Sequence, residues 1–319
     1  MAMRRTLRAM SSQPASSSLG PLRIAVCGVG LIGGSIVRAL RVAGRPLHIT
    51  GPNRDAALLQ RLRTDGWIDE IAPDGGALFD AHDLVVLCQP VGVLLDFIRT
   101  HATRIGAGRA VGFDVASVKG PVVAALEEGG AAAVARFVPS HPIAGKAQHG
   151  WAAAEAELFA GKRCILTPDA RTDANAVARV RAFWSMLGAQ VASLPAAEHD
   201  SIYAGISHLP QLLTYAYLHS LATRPEAVDW PAHQGTGYRG FTRLGSSDPV
   251  LWADIALHNR RPLIEEIDRL SDALALMRHQ LAAGDTASLA DAFALARRFH
   301  AAGAVPDPAE GQRPSTHSA

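Results

Sequence analysis

The chain predicts an α/β fold, a doubly wound and mainly parallel sheet, followed by a C-terminal part made of helices alone. Three observations carry this. A short apolar run, Ile24 to Cys27, breaks into Gly28-Val29-Gly30-Leu31-Ile32-Gly33 and leads into a helical pattern through Ile36, Val37 and Leu40. Strand-like runs then alternate with helical stretches as far as Ser193, the pattern of parallel strands joined by crossover helices. Beyond Pro195 the apolar residues follow helical spacing only.

The glycine-rich stretch organises the rest. Gly28 permits a tight turn, Gly30 lets backbone N–H groups approach a pyrophosphate, and Gly33 lets the next helix pack close to the strand. That helix turns its positive N-terminus towards the phosphates. G-x-G-x-x-G alone is a weak signal; between a strand and a helix near the chain start it marks a dinucleotide-binding, Rossmann-type domain. Gly28, Gly30, Leu31, Ile32 and Gly33 are therefore the expected cofactor-binding turn. Leu47 to Thr50 is the second strand, at whose end NAD-binding domains place a carboxylate for the ribose hydroxyls, about 20 residues past the glycines. Here the residues are Gly51-Pro52-Asn53-Arg54. Asn53 can bond a hydroxyl and Arg54 can meet a phosphate, so NADP is favoured over NAD. If Arg54 is only a solvated helix-start residue, both cofactors are used.

Further strands are expected at 83–88, 110–114, 137–139, 163–166 and 189–193. Between the last two, Val177, Val180, Trp184 and Leu187 mark one helix face. The dinucleotide-binding domain thus covers 21–194 and a helical domain 195–303, between tails at 1–20 and 304–319 that are expected to be disordered. Ile202 to Leu221 is apolar nearly all round, as in a helix buried in a bundle, with Pro210 expected to kink it. Leu263, Ile267, Leu270, Leu274, Met277 and Leu281 recur at steps of four and three, a helix–helix seam within or between subunits.

Composition excludes several classes. Of the 319 residues, 48% are hydrophobic and 19% charged, and the net charge of +2 is spread over scattered Lys and Arg, so no nucleic-acid surface is expected. No apolar run reaches the roughly 18 residues of a membrane helix. Cys27, Cys88 and Cys164 fall in expected strands and read as reduced core thiols of a cytoplasmic protein, not as a disulfide or metal framework. Arg4, Arg5 and Arg8, among serines and without acids, have a transit-peptide flavour, but a plain disordered tail is the preferred reading.

Candidate chemistry clusters after the strands. Ser117, following the fourth strand, either bonds a substrate hydroxyl or caps a helix. His141, leaving the fifth strand at the same sheet edge, suits proton transfer near neutral pH. In the apolar helix, His199 reads as structural, whereas His208 and Gln211 are either satisfied core groups or ligand contacts. Arg239 and Arg243 share a loop, and Arg captures carboxylates bidentately.

Together these residues resemble the prephenate/arogenate (cyclohexadienyl) dehydrogenase family of tyrosine biosynthesis. The resemblance runs from Arg23 to about Leu281. It rests on Gly28 to Ser35, Asp114 to Lys119, His141-Pro142-Ile143-Ala144-Gly145, Leu158 to Pro168, Glu198-His199-Asp200, Ser207-His208-Leu209-Pro210, and Phe241-Thr242-Arg243 through Pro249 and Trp252. It implies an NAD(P)-dependent oxidative decarboxylation of an anionic cyclohexadiene. His141 would accept the hydrogen bond of the C4 hydroxyl, Ser117 orient it, and Arg243 hold a carboxylate. A homodimer joined through the helical domain is also implied. Many members carry acids where this chain has Ala147 and Gly240, and a second His where it has Gln211. Without those carboxylates there is less to attract the ammonium of arogenate, so prephenate is the expected substrate, ahead of arogenate or a 4-amino analogue. A β-hydroxyacid dehydrogenase would need a Lys base in its helical domain, and Ala196 to Leu281 contains no lysine. A non-enzymatic cofactor sensor would leave His141 and Arg243 idle.

Overall fold

The computed structural model describes residues 22–44, 47–52, 54–73, 75–146 and 148–303. The two tails, Asn53 and Ala147 lie outside the described residues.

Five strands, β1 (Leu22–Cys27), β2 (Leu47–Thr50), β3 (Leu84–Leu87), β4 (Val111–Asp114) and β5 (Phe137–Val138), form a wholly parallel sheet in the order β2-β1-β3-β4-β5. Ile24 pairs with Ile49 on one side and with Leu84 on the other. Because β2 and β3 add to opposite sides of β1, the switch point lies beside the carboxyl end of β1, where open α/β sheets bind ligands. Side chains alternate between two cores. Ile24, Val26, Ile49, Val86 and Phe113 enter one, and Ala25, Cys27, Val85 and Leu87 enter the other. The covering helices are α1 (Leu31–Val42), α2 (Ala56–Thr64), α3 (Leu78–Ala81), α4 (Val91–Ala107), α5 (Gly120–Glu128) and α6 (Ala131–Arg136).

The continuous sheet expected beyond residue 137 is instead interrupted. β6 (Ser140–Pro142), β7 (Arg163–Leu166) and β8 (Gln190–Ser193) make a separate three-stranded sheet, antiparallel between β6 and β7 and parallel between β7 and β8. The break falls at Pro139, which has no N–H to extend the β4–β5 ladder and whose carbonyl accepts from Thr167 N at 2.9 Å. His141 therefore sits on a strand, opposite Ile165, and not on a loop. α7 (Ala174–Met186) joins β7 to β8 and buries Val180 and Trp184, as its spacing predicts.

The helical part comprises α8 (Ala196–Tyr203), a π-helical turn (Ala204–His208), α9 (Leu209–Ala222), α10 (Thr236–Thr242), α11 (Pro249–His258), α12 (Arg260–Ala283) and α13 (Thr286–Gly303). Pro210 does not interrupt a regular helix. The turn before it widens, Leu209 N–H reaching back to Ala204 O, so that Pro210 falls in a first helical turn that needs no N–H from it. The expectation of a helix buried all round is corrected too: Leu209, Gln211 and Thr214 are buried, but Ile206 is 66% exposed. In the heptad seam Leu263 is buried while Leu274 and Leu281 are exposed. By packing, the chain divides into one compact unit up to Leu263 and another from Ile264, inside α12, whereas the change at 194–195 is from sheet to helix. Among the described residues no helix is long and apolar enough to cross a membrane.

Candidate active site

The glycine turn leaves β1 with Gly28 at φ +96°, its N–H donating to Pro52 O at 3.0 Å. A Cβ on Gly33 would lie 1.9 Å from Gly28 O, so only glycine lets α1 start this close to the strand. A Cβ on Gly30 would meet nothing within 4 Å, leaving open space over the turn. α1, which Leu31 and Ile32 open, has no acid in its first turn and no side-chain cap among the described residues, so its leading N–H groups suit an anion. The neighbouring helix starts differ. Asp254 takes Gly92 N at the start of α4 (3.2 and 3.3 Å), and Asp200 takes Lys119 N and Gly120 N at the start of α5 (2.7 Å each). Two helix N-termini are thus filled by carboxylates, and the third, lined by glycine, fits a pyrophosphate. Arg54, beyond β2, is exposed.

His141 is buried on β6. Its Nδ1 lies 2.9 Å from His199 Nε2, and His199 Nδ1 lies 2.8 Å from Asp200 Oδ1. The Tyr203 ring packs against both imidazoles. Beneath them Lys119 and Asp114 form an ion pair with neither side chain exposed. Lys119 Nζ also donates to Ser140 O at 2.8 Å, while Asp114 accepts from Ala116 N (2.9 Å) and Ser140 N (3.0 Å). The turn from β4 to α5 is thereby tied to β6. Ser117 Oγ lies in that turn, buried and without a partner among the described residues. The helix-cap reading of Ser117 fails, because the start of α5 is already bound by Asp200.

Electrostatics keep these imidazoles neutral. Burial, with His199, Lys119 and His208 alongside, holds His141 well below the usual histidine range. Burial also lowers His199, although Asp200 pulls it upward, and lowers His208 to about 4. Asn259 Nδ2 donates to Asp200 O and to His208 Nδ1, both at 2.9 Å. His208 Nε2 therefore carries the hydrogen, and it is buried without a partner among the described residues. Gln211 Nε2 donates to Leu244 O at 2.8 Å, leaving Gln211 Oε1 buried and partnerless among the described residues. Both residues line a cavity of about 160 Å³ with Tyr215 and Trp252.

Of the sequence-predicted residues, His141 and His208 are joined through His199, Asp200 and Asn259, and Gln211 shares the cavity with His208. Arg243 stands one residue before the carbonyl that Gln211 holds; its side chain is exposed, forms no ion pair among the described residues and does not line that cavity. Sequence reasoning missed Lys119, Asp200 and Asn259, and read His199 as structural. The available signal was the adjacent His199-Asp200 pair in an otherwise apolar stretch. Burial raises the Cys88 and Cys164 thiols, so neither is a reactive thiolate.

Acid should unfold this protein through its buried histidines. His82, His141, His199 and His208 are all depressed by burial, so between about 6.5 and each lowered value the unfolded chain binds protons that the folded chain refuses. Stability is complete above 6.5 and is lost as pH falls towards 4. His208 alone, displaced from 6.5 to about 4, contributes roughly 3 kcal/mol. Urea unfolding at pH 7.5, 5.5 and 4.5 checks this, and equal stabilities at all three would refute it.

Two family profiles match the chain: "Prephenate dehydrogenase, nucleotide-binding domain" over residues 36–193 and "Prephenate dehydrogenase, dimerization domain" over 195–295. The cyclohexadienyl dehydrogenase of Zymomonas mobilis is 30% identical over 264 residues, 82% of this chain and 89% of that one. The prephenate dehydrogenase of Bacillus subtilis is 30% identical over 249 residues, 77% of this chain and 66% of that one. Among solved structures, prephenate dehydrogenase from A. aeolicus in complex with hydroxyphenyl propionate and NAD+ aligns with TM-score 0.79 at 29% identity, covering 89% of this chain and 98% of that one. Synechocystis arogenate dehydrogenase aligns with TM-score 0.73 at 25% identity, covering 88% and 99%.

Proposed function

The chain belongs to the prephenate dehydrogenase family, and from that premise we propose that it oxidatively decarboxylates prephenate to 4-hydroxyphenylpyruvate. It is an NAD(P)-dependent oxidoreductase. The observation that carries the reading is a buried, neutral imidazole: His141 spends Nδ1 on His199 and keeps Nε2 for a ligand, while Ser117 Oγ, in the turn that Lys119 ties to β6, has no partner among the described residues.

The Gly28–Gly33 turn and the start of α1 would hold the cofactor's pyrophosphate, and Asn53 and Arg54 its adenosine ribose, with NADP favoured over NAD. When bound, that cofactor supplies the hydride acceptor. His141 Nε2 takes the proton of the C4 hydroxyl as the C4–O bond gains carbonyl character, and Ser117 Oγ orients that hydroxyl. Carboxylate loss then aromatises the ring, which makes the step one-way. Arg243 gives fixed charge to a substrate carboxylate, and His208 Nε2–H and Gln211 Oε1 meet its polar end. Arogenate is the second reading. It is favoured by Gln211 Oε1, a partnerless acceptor able to take an ammonium N–H. It is disfavoured by Gly240, which offers no carboxylate to an ammonium.

Absorbance at 340 nm, with prephenate and arogenate each offered with NAD and NADP, tests the assignment. Prephenate with NADP should be the fastest pair, and no reduction in any of the four would overturn the function. Arg243→Gln should raise KM for prephenate about 10- to 100-fold while leaving KM for the cofactor unchanged. An unaltered substrate KM would remove Arg243 from the site. We further propose a cytoplasmic homodimer joined through the helical part. It is supported by the dimerization-domain match, the exposed Leu274 and Leu281 of the heptad seam, and three cysteines not joined in disulfides.

A further inference from the structure

We propose that His199 is the positioning residue for His141. It fixes the His141 imidazole as the Nδ1–H tautomer, with the Nε2 lone pair presented to the ligand, and it takes up the proton that His141 receives. The second half of this proposal rests on the function proposed above; the first half stands on geometry alone.

The assignment starts at Asp200. Its two oxygens accept the N–H groups of Lys119 and Gly120, 81 and 80 residues away in the chain, at the positive end of α5. A carboxylate held there accepts only, so the 2.8 Å contact from His199 Nδ1 to Asp200 Oδ1 requires the hydrogen on His199 Nδ1. Neutral His199 then has a bare Nε2. The 2.9 Å contact between that nitrogen and His141 Nδ1 needs one hydrogen, and His141 alone can provide it. The His141 hydrogen is thereby placed on Nδ1, and its Nε2 is left as the acceptor.

The surroundings also decide where an added proton rests. His199 and Tyr203 face His141 from α8, His208 from the π-helical turn, Lys119 from just before α5 with its partner Asp114 at the end of β4, and Cys164 from β7. Burial and Lys119 oppose positive charge on both imidazoles, but His199 alone has Asp200 hydrogen-bonded to it, with Asp114 adding to the attraction, whereas His141 faces only further opposing groups in His199 and His208. In the step, the substrate O–H bond breaks as an N–H bond forms at His141 Nε2. The His141 Nδ1–H bond breaks as one forms at His199 Nε2. His141 ends neutral as its other tautomer, and His199 ends as an imidazolium against the Asp200 carboxylate. With hydride lost from C4 to the acceptor that a bound cofactor would supply, the C1–carboxylate bond breaks as CO2 departs, and its electron pair aromatises the ring and leaves a phenolate oxygen at C4. The proton returns along the same path to that oxygen, giving the phenol and restoring neutral His199, so atoms, charge and electrons balance.

Two variants separate the halves. His199→Asn keeps a donor towards Asp200 but removes the partner of His141 Nδ1. His199→Gln can accept from Nδ1–H but cannot take a proton. The tautomer is read in ligand-free, ¹⁵N-histidine-labelled enzyme by long-range ¹H–¹⁵N spectra, with His141 assigned by its disappearance in His141→Asn. Wild type should show Nδ1 protonated and Nε2 bare, His199→Gln the same, and His199→Asn a mixture of both tautomers. In turnover, His199→Asn should lose about 10²-fold in kcat and His199→Gln about 10-fold. Both should keep KM for substrate and cofactor within about two-fold, with the acid limb of the kcat profile displaced. Circular dichroism and thermal melts establish folding, and if His199→Asn does not fold, the wild-type spectrum still reads the first half and His199→Gln turnover the second. A wild-type His141 protonated on Nε2, or a folded His199→Asn with wild-type tautomer and kcat, would overturn the proposal. A wild-type enzyme inert towards every cyclohexadiene would overturn the proposed function and leave the tautomer result standing.

Discussion

Replacing His141 with asparagine is expected to lower kcat by about 10²- to 10⁴-fold, the span of a lost general base, with cofactor affinity unchanged. Asparagine can still bond His199 but has no nitrogen of useful basicity where Nε2 stood. The substitution should not melt the site. His141 lies within β6, whose backbone ladder to β7 does not depend on the side chain, and its ring contacts are with His199 and Tyr203. The glycine turn belongs to the other sheet, so the Kd for NADP, followed by tryptophan fluorescence, should move less than two-fold. The wild-type pH profile should carry the same signature. A base held well below the ordinary histidine range stays unprotonated in mild acid, so kcat/KM should remain level on descending through pH 6.5, where an unshifted histidine would already cost half the activity. Undiminished turnover in His141→Asn, or a profile halved at 6.5, would take the base role from this residue.

How much of this was legible in the chain depends on how local each determinant is. The β1–turn–α1 unit is a matter of neighbouring residues: an apolar strand, glycines where a Cβ would strike Gly28 O, and an uncapped helix. Periodicity alone finds it. The break at Pro139 was not readable, because whether a strand continues or changes sheet depends on which edge lies beside it, here β7 from more than twenty residues on. Ser117 was ambiguous for a related reason. A serine before a helix is a good cap, and only the arrival of Asp200 at the start of α5 excludes that role. His199 looked structural because pairing with the adjacent Asp200 is enough to satisfy a buried imidazole; the approach of His141 to its other nitrogen is a tertiary fact. The stretch from Ile202 to Leu221 is apolar on every side, yet that pattern does not say what covers each side. Ile206 remains open in the single chain, which is where the dimerization-domain match bears on it.

The largest stability effect should come from beneath the imidazoles. Lys119→Met is expected to cost about 3–5 kcal/mol, the usual consequence of leaving one member of a buried pair without the other. Neither Lys119 nor Asp114 is exposed, so a carboxylate deprived of its ammonium cannot turn to water. Asp114→Asn should cost a similar amount for the opposite reason. Together the two changes should cost less than their sum, because a neutral amide beside a thioether leaves no stranded charge. The backbone N–H groups of Ala116 and Ser140 use different oxygens of Asp114, so one of them would keep an acceptor in the amide carbonyl and the other would lose its own. Activity ought to report the same tie. Lys119 Nζ holds Ser140 O, the residue before His141, so Lys119→Met loosens β6 against β4 and should lower kcat even where enough folded protein survives. Denaturant unfolding of the two single variants and the double variant measures the coupling directly. A coupling of more than about 1 kcal/mol is expected. Strict additivity would mean that the pair does not act as a unit and that β6 is held in register by its strand hydrogen bonds alone.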